Sequence, residues 1–353
     1  MITGTGSYVP ENIITNAHFE TNIFYDPSGK LIEASNEEII KKFKAITGIE
    51  QRRYINKNQT ASDIGTIAAK LAIEDSGVNP EEIDQIIVAH NFGDVIFGTI
   101  QSDTVPSIAS RIKHNLQIEN PSCVCYDLLF GCPGWLQGII QAQAYIKSGI
   151  AKKCLIISAE TLSRVIDKYD RDSMIYADGA GACIVEAVES NIKEGVIGTE
   201  SASYTKDEAH YLFFGEGNNN EADPKKRYLK MNGHKIYEFA LTHVPMAMKK
   251  CLEKSGSGIN DVNKIFIHQA NEKMDNEIVK RFYRLYKERK VPKDITPMNI
   301  HKFGNSSVGT IPTLFDMVRK GKCEGNHQLN KGDLILFSSV GAGMNINAIA
   351  YRY

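Results

Sequence analysis

Short apolar runs alternate along this chain with longer stretches in which apolar residues recur every three or four positions. Ile86-Ile87-Val88, Cys154-Leu155-Ile156-Ile157-Ser158, Ala182-Cys183-Ile184-Val185, Ile265-Phe266-Ile267 and Leu334-Ile335-Leu336-Phe337 are rich in β-branched or large apolar side chains. Such continuous runs suit strands covered on both faces, which predicts a layered α/β fold. Between Asp63 and Ser76, the residues Ile64, Ile67, Ala68, Leu71 and Ala72 mark one helical face, and Gly77 is placed to end it. A further helix is predicted over Ile311–Lys320, and a polar surface loop over Gly215–Lys226.

The chain also echoes itself. Residues 72–91 read AIEDSGVNPEEIDQIIVAHN, and residues 251–271 read CLEKSGSGINDVNKIFIHQAN. Each is a helix end, Ser-Gly, a polar connection and a buried strand leaving on polar residues. A second echo pairs Cys132–Ile157 with Asn305–Phe337, where a small-residue helix start leads to a helix ending in Lys-Ser-Gly or Arg-Lys-Gly and then to an apolar strand. Two echoes in the same order predict two similar α/β halves, residues 1–185 and 186–353. The competing reading is chance likeness between ordinary α/β units. The period is far too long for a solenoid.

Composition narrows the function classes. Lys+Arg 41 against Asp+Glu 42 gives a net charge of -1, so no global field draws nucleic acid, and an acidic partner would need a local basic patch. No apolar run approaches the roughly 20 residues of a membrane helix. The opening, Met1-Ile2-Thr3-Gly4-Thr5-Gly6, does not read as a signal peptide. The seven cysteines have no metal-ligand spacing, and Cys123 and Cys125 are not a CxxC pair. Reduced thiols in a cytoplasm, with no metal, are the expectation.

Three residues invite chemistry. Cys132 lies in Leu128-Leu129-Phe130-Gly131-Cys132-Pro133-Gly134-Trp135, where an apolar run turns into a helix with Pro133 in its first turn. A cysteine there meets the positive end of the helix dipole, which favours the thiolate; the plainer reading is a buried apolar cysteine. His268 follows Ile265-Phe266-Ile267, at a strand end where ligand-facing groups collect, although a satisfied histidine at the sheet rim fits the same position. His90 and His301 keep the structural reading. Asn305, in Gly304-Asn305-Ser306-Ser307, reads first as a turn or helix cap, and otherwise as an amide donor. The glycine loop Gly341-Ala342-Gly343 follows a strand and could bring backbone N–H groups to an oxyanion.

Read together, these segments resemble the β-ketoacyl-[acyl-carrier-protein] synthase III family along nearly the whole chain. Ile2–Pro10, Ile46–Arg53, Ala177–Ala182, His268-Gln269-Ala270-Asn271, Gly304-Asn305-Ser306-Ser307 and Gly341-Ala342-Gly343 stand in the family's order, around a nucleophile segment ending Gly131-Cys132-Pro133-Gly134. The resemblance implies a thiolase fold, a homodimer and no tightly bound cofactor, with acyl-coenzyme A or acyl-carrier-protein thioesters as substrates. It implies that Cys132 carries an acyl group and that His268 and Asn305 hold the enolate from a decarboxylating malonyl thioester. Backbone N–H groups of Cys132 and Gly343 would hold the second oxyanion. Acyl carrier protein is the implied partner, with Lys273, Lys280 and Arg281 as docking candidates, against the alternative of a solvated charged helix face. Ile46, Val105, Phe130 and Trp135 are candidates for the substrate pocket, Val105 by reaching across the dimer.

The chain departs from the family pattern at Ile46, where an arginine commonly helps hold coenzyme A, at the bulky flank of Cys132, and in the polar stretch Tyr25–Lys30. These departures leave fatty-acid initiation open beside a specialised ketosynthase that makes alkylresorcinol- or polyene-type lipids. A cysteine acyltransferase without decarboxylation is a further alternative, disfavoured by the presence of both His268 and Asn305. A degradative thiolase would carry a cysteine where Ser338-Ser339-Val340 stands, and elongating ketosynthases have a histidine in place of Asn305. A non-catalytic subunit would have lost the nucleophile, and a papain-like protease lacks this α/β alternation.

Overall fold

The computed structural model describes residues 1–99 and 101–353. The first half contains β1 (Ile2–Tyr8), β2 (Asn12–Thr15), α1 (Asn36–Thr47), β3 (Gln51–Tyr54), α2 (Ala61–Ser76), β4 (Gln85–Ala89), β5 (Asp94–Val95) and β6 (Ser102–Asp103). It continues through α3 (Ile108–Asn115), β7 (Val124–Leu128), α4 (Gly134–Lys147), β8 (Lys153–Thr161) and β9 (Asp178–Glu186). The second contains β10 (Gly195–Ser203), β11 (Leu212–Gly215), β12 (Tyr228–Met231), α5 (Gly233–Ser255), β13 (Val262–Ile267) and α6 (Glu272–Arg284). It closes with α7 (Ile300–Phe303), α8 (Thr310–Arg319), β14 (Leu334–Gly341) and β15 (Asn345–Arg352). All five apolar runs read from the sequence are strands.

Two sheets carry the molecule, ordered β1-β9-β8-β4-β7 and β10-β15-β14-β13. Matching β1 with β10, β9 with β15, β8 with β14 and β4 with β13 superposes the two orders, and the strand senses agree as well. β8 runs parallel to β4 and antiparallel to β9, as β14 does to β13 and β15. The echoes in the sequence are therefore one architecture built twice. β7 is the exception, since it pairs only with β4 among the described residues and has no counterpart in the second sheet.

Five layers follow from where successive side chains go. Ile86, Val88, Leu155 and Ile157 face α2 and α3, whereas Ile87 and Ile156 face a central layer formed by α4 and α8. From the other sheet, Phe266, Ile335 and Phe337 enter that central layer, while Ile265, Leu334 and Leu336 turn outward to α5 and α6. Because the strands are buried on both faces over these stretches, the stretches read as unbroken apolar runs. Each fully buried side chain of this size contributes on the order of 2 kcal/mol.

Local signals set the helix ends. The Asp63 carboxylate accepts the Thr60 N–H at 2.8 Å, which opens α2, and Gly77 closes it at φ +70°. The Asn271 side chain accepts the Met274 N–H at 3.0 Å and caps α6.

Most sheet edges are occupied. Along β1, Thr5 N–H donates to Asp75 at 2.8 Å, and the carbonyls of Thr3 and Thr5 accept from Arg319 at 2.9 Å and Lys320 at 2.7 Å. On β13, Ile265 N–H donates to the Ile295 carbonyl at 2.8 Å. At the other end of that sheet, the Val196 carbonyl of β10 accepts from Gln143 at 2.7 Å. Among the described residues β7 has no partner on its outer edge, which is flanked by the exposed side chains of Val124 and Leu129.

Candidate active site

An apolar cavity of about 330 Å³ opens where β4, β13 and β14 end, and Cys132, His268 and Asn305 all line it. Ligand-facing groups at the carboxyl ends of strands are the usual arrangement of layered α/β folds. Cys132 stands in the turn between β7 and α4. Gly131 adopts φ +65° there, and a Cβ on it would lie 2.6 Å from Ala342 N; a Cβ on Gly341 would lie 2.4 Å from Cys132 N. These two glycines allow the loops of the two halves to touch at the cysteine.

Asn305 is pinned through its backbone: its N–H donates to Ile175 O at 3.0 Å, and its carbonyl accepts from Ala177 N at 2.8 Å. Its side-chain Oδ1 accepts the Ser307 N–H at 2.7 Å. The turn reading and the donor reading are thus compatible, because the turn uses the oxygen and leaves the amide protons for a ligand. His268 is held by its own N–H on Ser338 O at 2.9 Å and by Nδ1 against Thr310 Oγ1 at 2.7 Å. Burial pushes its imidazole down to about 4, so it is neutral at physiological pH.

Ser307 ties the group together. Its hydroxyl lies 3.3 Å from Cys132 Sγ, its N–H serves Asn305, and its carbonyl lies 3.1 Å from Thr310 Oγ1. Burial pushes the Cys132 thiol up to about 11, which reverses the expectation of a helix-stabilised thiolate; the Ser307 hydrogen bond acts in the opposite direction. Cys123 is also pushed up to about 11 and Cys251 to about 12, again by burial. What distinguishes Cys132 is its place on the cavity, while Cys123, Cys154, Cys183 and Cys251 lie in the interior.

Several expected residues fall elsewhere. Gly343, at φ +74°, does not line the cavity; the loop residues that do are Val340, Gly341 and Ala342. Trp135 is buried in the central layer with its ring edge-on to Phe337, as its place on the inner face of α4 requires. Phe130 is half-buried outside the cavity, and Ile46 is exposed on the last turn of α1. Val105 is 85% exposed on the single chain, before the cis Pro106. The apolar lining comes instead from Phe92, Leu212, Phe214, Leu229 and Met231, among others, with the β11–β12 hairpin as a roof. That hairpin is fastened by buried Lys230, whose Nζ lies 2.6 Å from Asp167, 3.0 Å from Asp170 and 2.7 Å from Asn218.

Lys273, Lys280 and Arg281 are exposed on α6, which also presents Met274 to the cavity. Arg281 is partly engaged, with Nε 3.3 Å from Glu277. His90 and His301 hold structural partners, His90 through Asp127 at 2.9 Å and His301 through Glu324 at 3.2 Å. Sequence reasoning missed Asn91, Glu160, Ser307 and Thr310. Ser307 lay unassigned within the Gly304-Asn305-Ser306-Ser307 motif, and Asn91 is the polar residue closing the first echo where Asn271 closes the second.

Comparisons with known proteins agree with this geometry. The family described as 3-oxoacyl-[acyl-carrier-protein (ACP)] synthase III matches residues 126–205, and its C-terminal companion matches residues 252–353. The β-ketoacyl-[acyl-carrier-protein] synthase III of Caldanaerobacter subterraneus is 32% identical over 351 residues, covering 97% of this chain and 94% of that one. The crystal structure of 3-oxoacyl-[acyl-carrier-protein] synthase III from Aquifex aeolicus aligns with a TM-score of 0.79 at 29% identity, over 100% of this chain and 99% of that one. The priming β-ketosynthase of the R1128 polyketide pathway aligns with a TM-score of 0.79 at 25% identity, over 99% and 95%. No helix of the described residues is long and apolar enough to cross a membrane.

Proposed function

The chain belongs to the β-ketoacyl-[acyl-carrier-protein] synthase III family of acyltransferases, and from that premise we propose that it performs a decarboxylative Claisen condensation with Cys132 as nucleophile. The observation that carries the proposal is the meeting of Cys132, His268 and Asn305, drawn from both halves, on one cavity. In the first half-reaction the Cys132 sulfur attacks an acyl thioester, the new S–C bond forms, and the carrier thiol leaves. In the second, a malonyl thioester loses CO2. The resulting carbanion bonds to the acyl carbon and expels the Cys132 thiolate, giving a β-ketoacyl thioester.

His268 and Asn305 would donate hydrogen bonds to the malonyl thioester oxygen as it gains charge. A neutral imidazole suits this role, because an imidazolium would give its proton to the enolate it has to stabilise. For the oxyanion formed at acyl-Cys132, the donors are the backbone N–H groups of Cys132 and of the glycine loop, with Ala342 in place of Gly343. Lys273, Lys280 and Arg281, exposed on α6, would meet an acidic acyl carrier protein. The bare edge and exposed apolar residues of β7 support a homodimer formed there, and Val105 could then reach a partner's pocket. The seven free thiols fit the cytoplasm, and no tightly bound cofactor enters the chemistry.

The cavity also favours one version of this function. Phe92, Leu212, Phe214 and Met231 offer more apolar surface than an acetyl group can cover, which suits longer primers of specialised lipid synthesis. Intact-mass analysis of Cys132 after mixing with acetyl and octanoyl groups, each on coenzyme A and on acyl carrier protein, tests both points. An octanoyl adduct formed fastest from the acyl carrier is expected. An acetyl-coenzyme A preference would return the chain to ordinary fatty-acid initiation, and no adduct from any donor would remove Cys132 as nucleophile.

A further inference from the structure

We propose that Ser307 is a further catalytic residue, its hydroxyl proton held on the Cys132 sulfur, and that Asn91 and Glu160 are positioning residues that fix the direction of that proton. The inference rests on Cys132 being the nucleophile and adds the group that prepares it. Ser307 Oγ lies 3.3 Å from Cys132 Sγ, but a hydroxyl can turn, so the contact alone does not say where its proton points. Asn91 decides this. Its Nδ2 has only protons to give and lies 3.1 Å from Ser307 Oγ, which must therefore accept there and donate elsewhere.

The Asn91 amide is oriented in turn by Glu160, a residue 1% exposed at the end of β8. Glu160 Oε2 accepts from Asn91 Nδ2 and, at 3.1 Å, from the Asn91 backbone N–H. Two donors on one oxygen mark Oε2 as the acceptor. Oε1 has no partner among the described residues and is where any proton on Glu160 would reside. The direction of donation thus holds whether Glu160 is ionised or not: from Asn91 to Glu160, from Asn91 to Ser307, and from Ser307 to Cys132. Burial pushes the Glu160 carboxyl up to about 7, and its charge opposes a thiolate at Cys132, so it contributes orientation rather than field. His90 and Asp178 also face Glu160, and Tyr176 and His268 share the cavity wall with Cys132.

The backbone supports the assignment. Ser307 sits at φ +53°, a conformation that favours glycine, and is held there by the 2.7 Å bond from its N–H to Asn305 Oδ1. Strained non-glycine residues persist where the surroundings demand them, commonly at functional sites. Here the strain aims a hydroxyl at sulfur, and a donor to the charged form opposes the burial that raises this thiol.

The test is the rate of iodoacetamide modification of Cys132 across pH 6–10, read by peptide mass on the full chain. Ser307→Ala should slow the reaction at pH 8 about tenfold, the effect of losing one donor to a charged acceptor. Ser307→Gly removes the hydroxyl and relieves the backbone; it should show the same loss, and it serves if the alanine variant does not fold. Asn91→Asp places an acceptor against Ser307 and should turn the proton away from sulfur, giving a comparable loss. In the Ser307→Ala background Asn91→Asp should then add little. Unchanged profiles in both Ser307 variants, or a loss in the alanine variant alone, would overturn the role of the hydroxyl. Full additivity of the two substitutions would overturn the role of Asn91. Either failure leaves the nucleophile intact if wild-type Cys132 still takes an acyl group, whereas absence of any acyl-Cys132 removes the underlying reading.

Discussion

His268 Nδ1 and Thr310 Oγ1 lie 2.7 Å apart, and the direction of this hydrogen bond decides which imidazole nitrogen carries the proton. The Thr310 hydroxyl has one proton and two acceptors in reach, His268 Nδ1 and, at 3.1 Å, Ser307 O. Given to the nearer acceptor, it makes Nδ1 a lone-pair acceptor and leaves Nε2–H as the donor toward the cavity. Thr310→Val should therefore slow decarboxylation of a malonyl thioester about tenfold, with Thr310→Ser close to wild type. CO2 release is the measurement. A valine variant at wild-type rate would mean that the tautomer is set without Thr310.

His268→Ala and Asn305→Ala separate the half-reactions. Each should reduce malonyl decarboxylation by on the order of a hundredfold, as expected when an oxyanion donor is lost. Acylation of Cys132 forms no enolate and should fall much less. Equal losses in both steps would show that these side chains hold the fold rather than the charge.

The buried thiol gives a pH prediction. The thiolate is the reactive form, and with the Cys132 thiol at about 11 its population rises about tenfold per pH unit below that value. Iodoacetamide modification should climb accordingly from pH 7 to 9. A rate already level below pH 8 would mean that the start of α4 overrides burial. At every pH Cys132 should react before Cys123, which is equally weak as an acid but buried away from the cavity.

Reversing Lys280 and Arg281 to Glu tests the carrier surface. The apparent KM for an acyl-carrier substrate should rise several-fold, and that for the same acyl group on coenzyme A should stay near wild type. The difference should shrink at high salt, as surface electrostatics do. Equal effects on both substrates would move the docking site off α6.

How far the sequence could be read depended on the kind of signal. Cys132, His268 and Asn305 stand beside local landmarks: a helix start after Gly131, the end of an apolar run, and a Gly-Asn turn. The duplicated halves were legible because each echo spans a whole helix–strand unit. The pocket was not legible. Trp135 and Phe130 are near Cys132 in sequence, but the helix carries Trp135 into the central layer, and the apolar lining of the cavity comes from Leu212, Phe214 and Met231, some 80 residues later or more. The Asn91–Ser307 contact spans a separation of 216 residues. No local pattern reports a bond of that kind, and the weight of burial on the Cys132 thiol depends on the same long-range packing.

β7, the one strand of the first large sheet without a counterpart in the second, also limits what the molecule can build. Had both halves kept a bare outer strand, each chain would offer two sites for strand addition, and copies could join end to end into a fibre. Ile295 on β13, Gln143 on β10 and the Asp75–Arg319–Lys320 group on β1 occupy the other edges. Among the described residues the two large sheets are left with one open edge, a valence of one. A chain of valence one can pair with a second copy across a two-fold axis, and growth stops there.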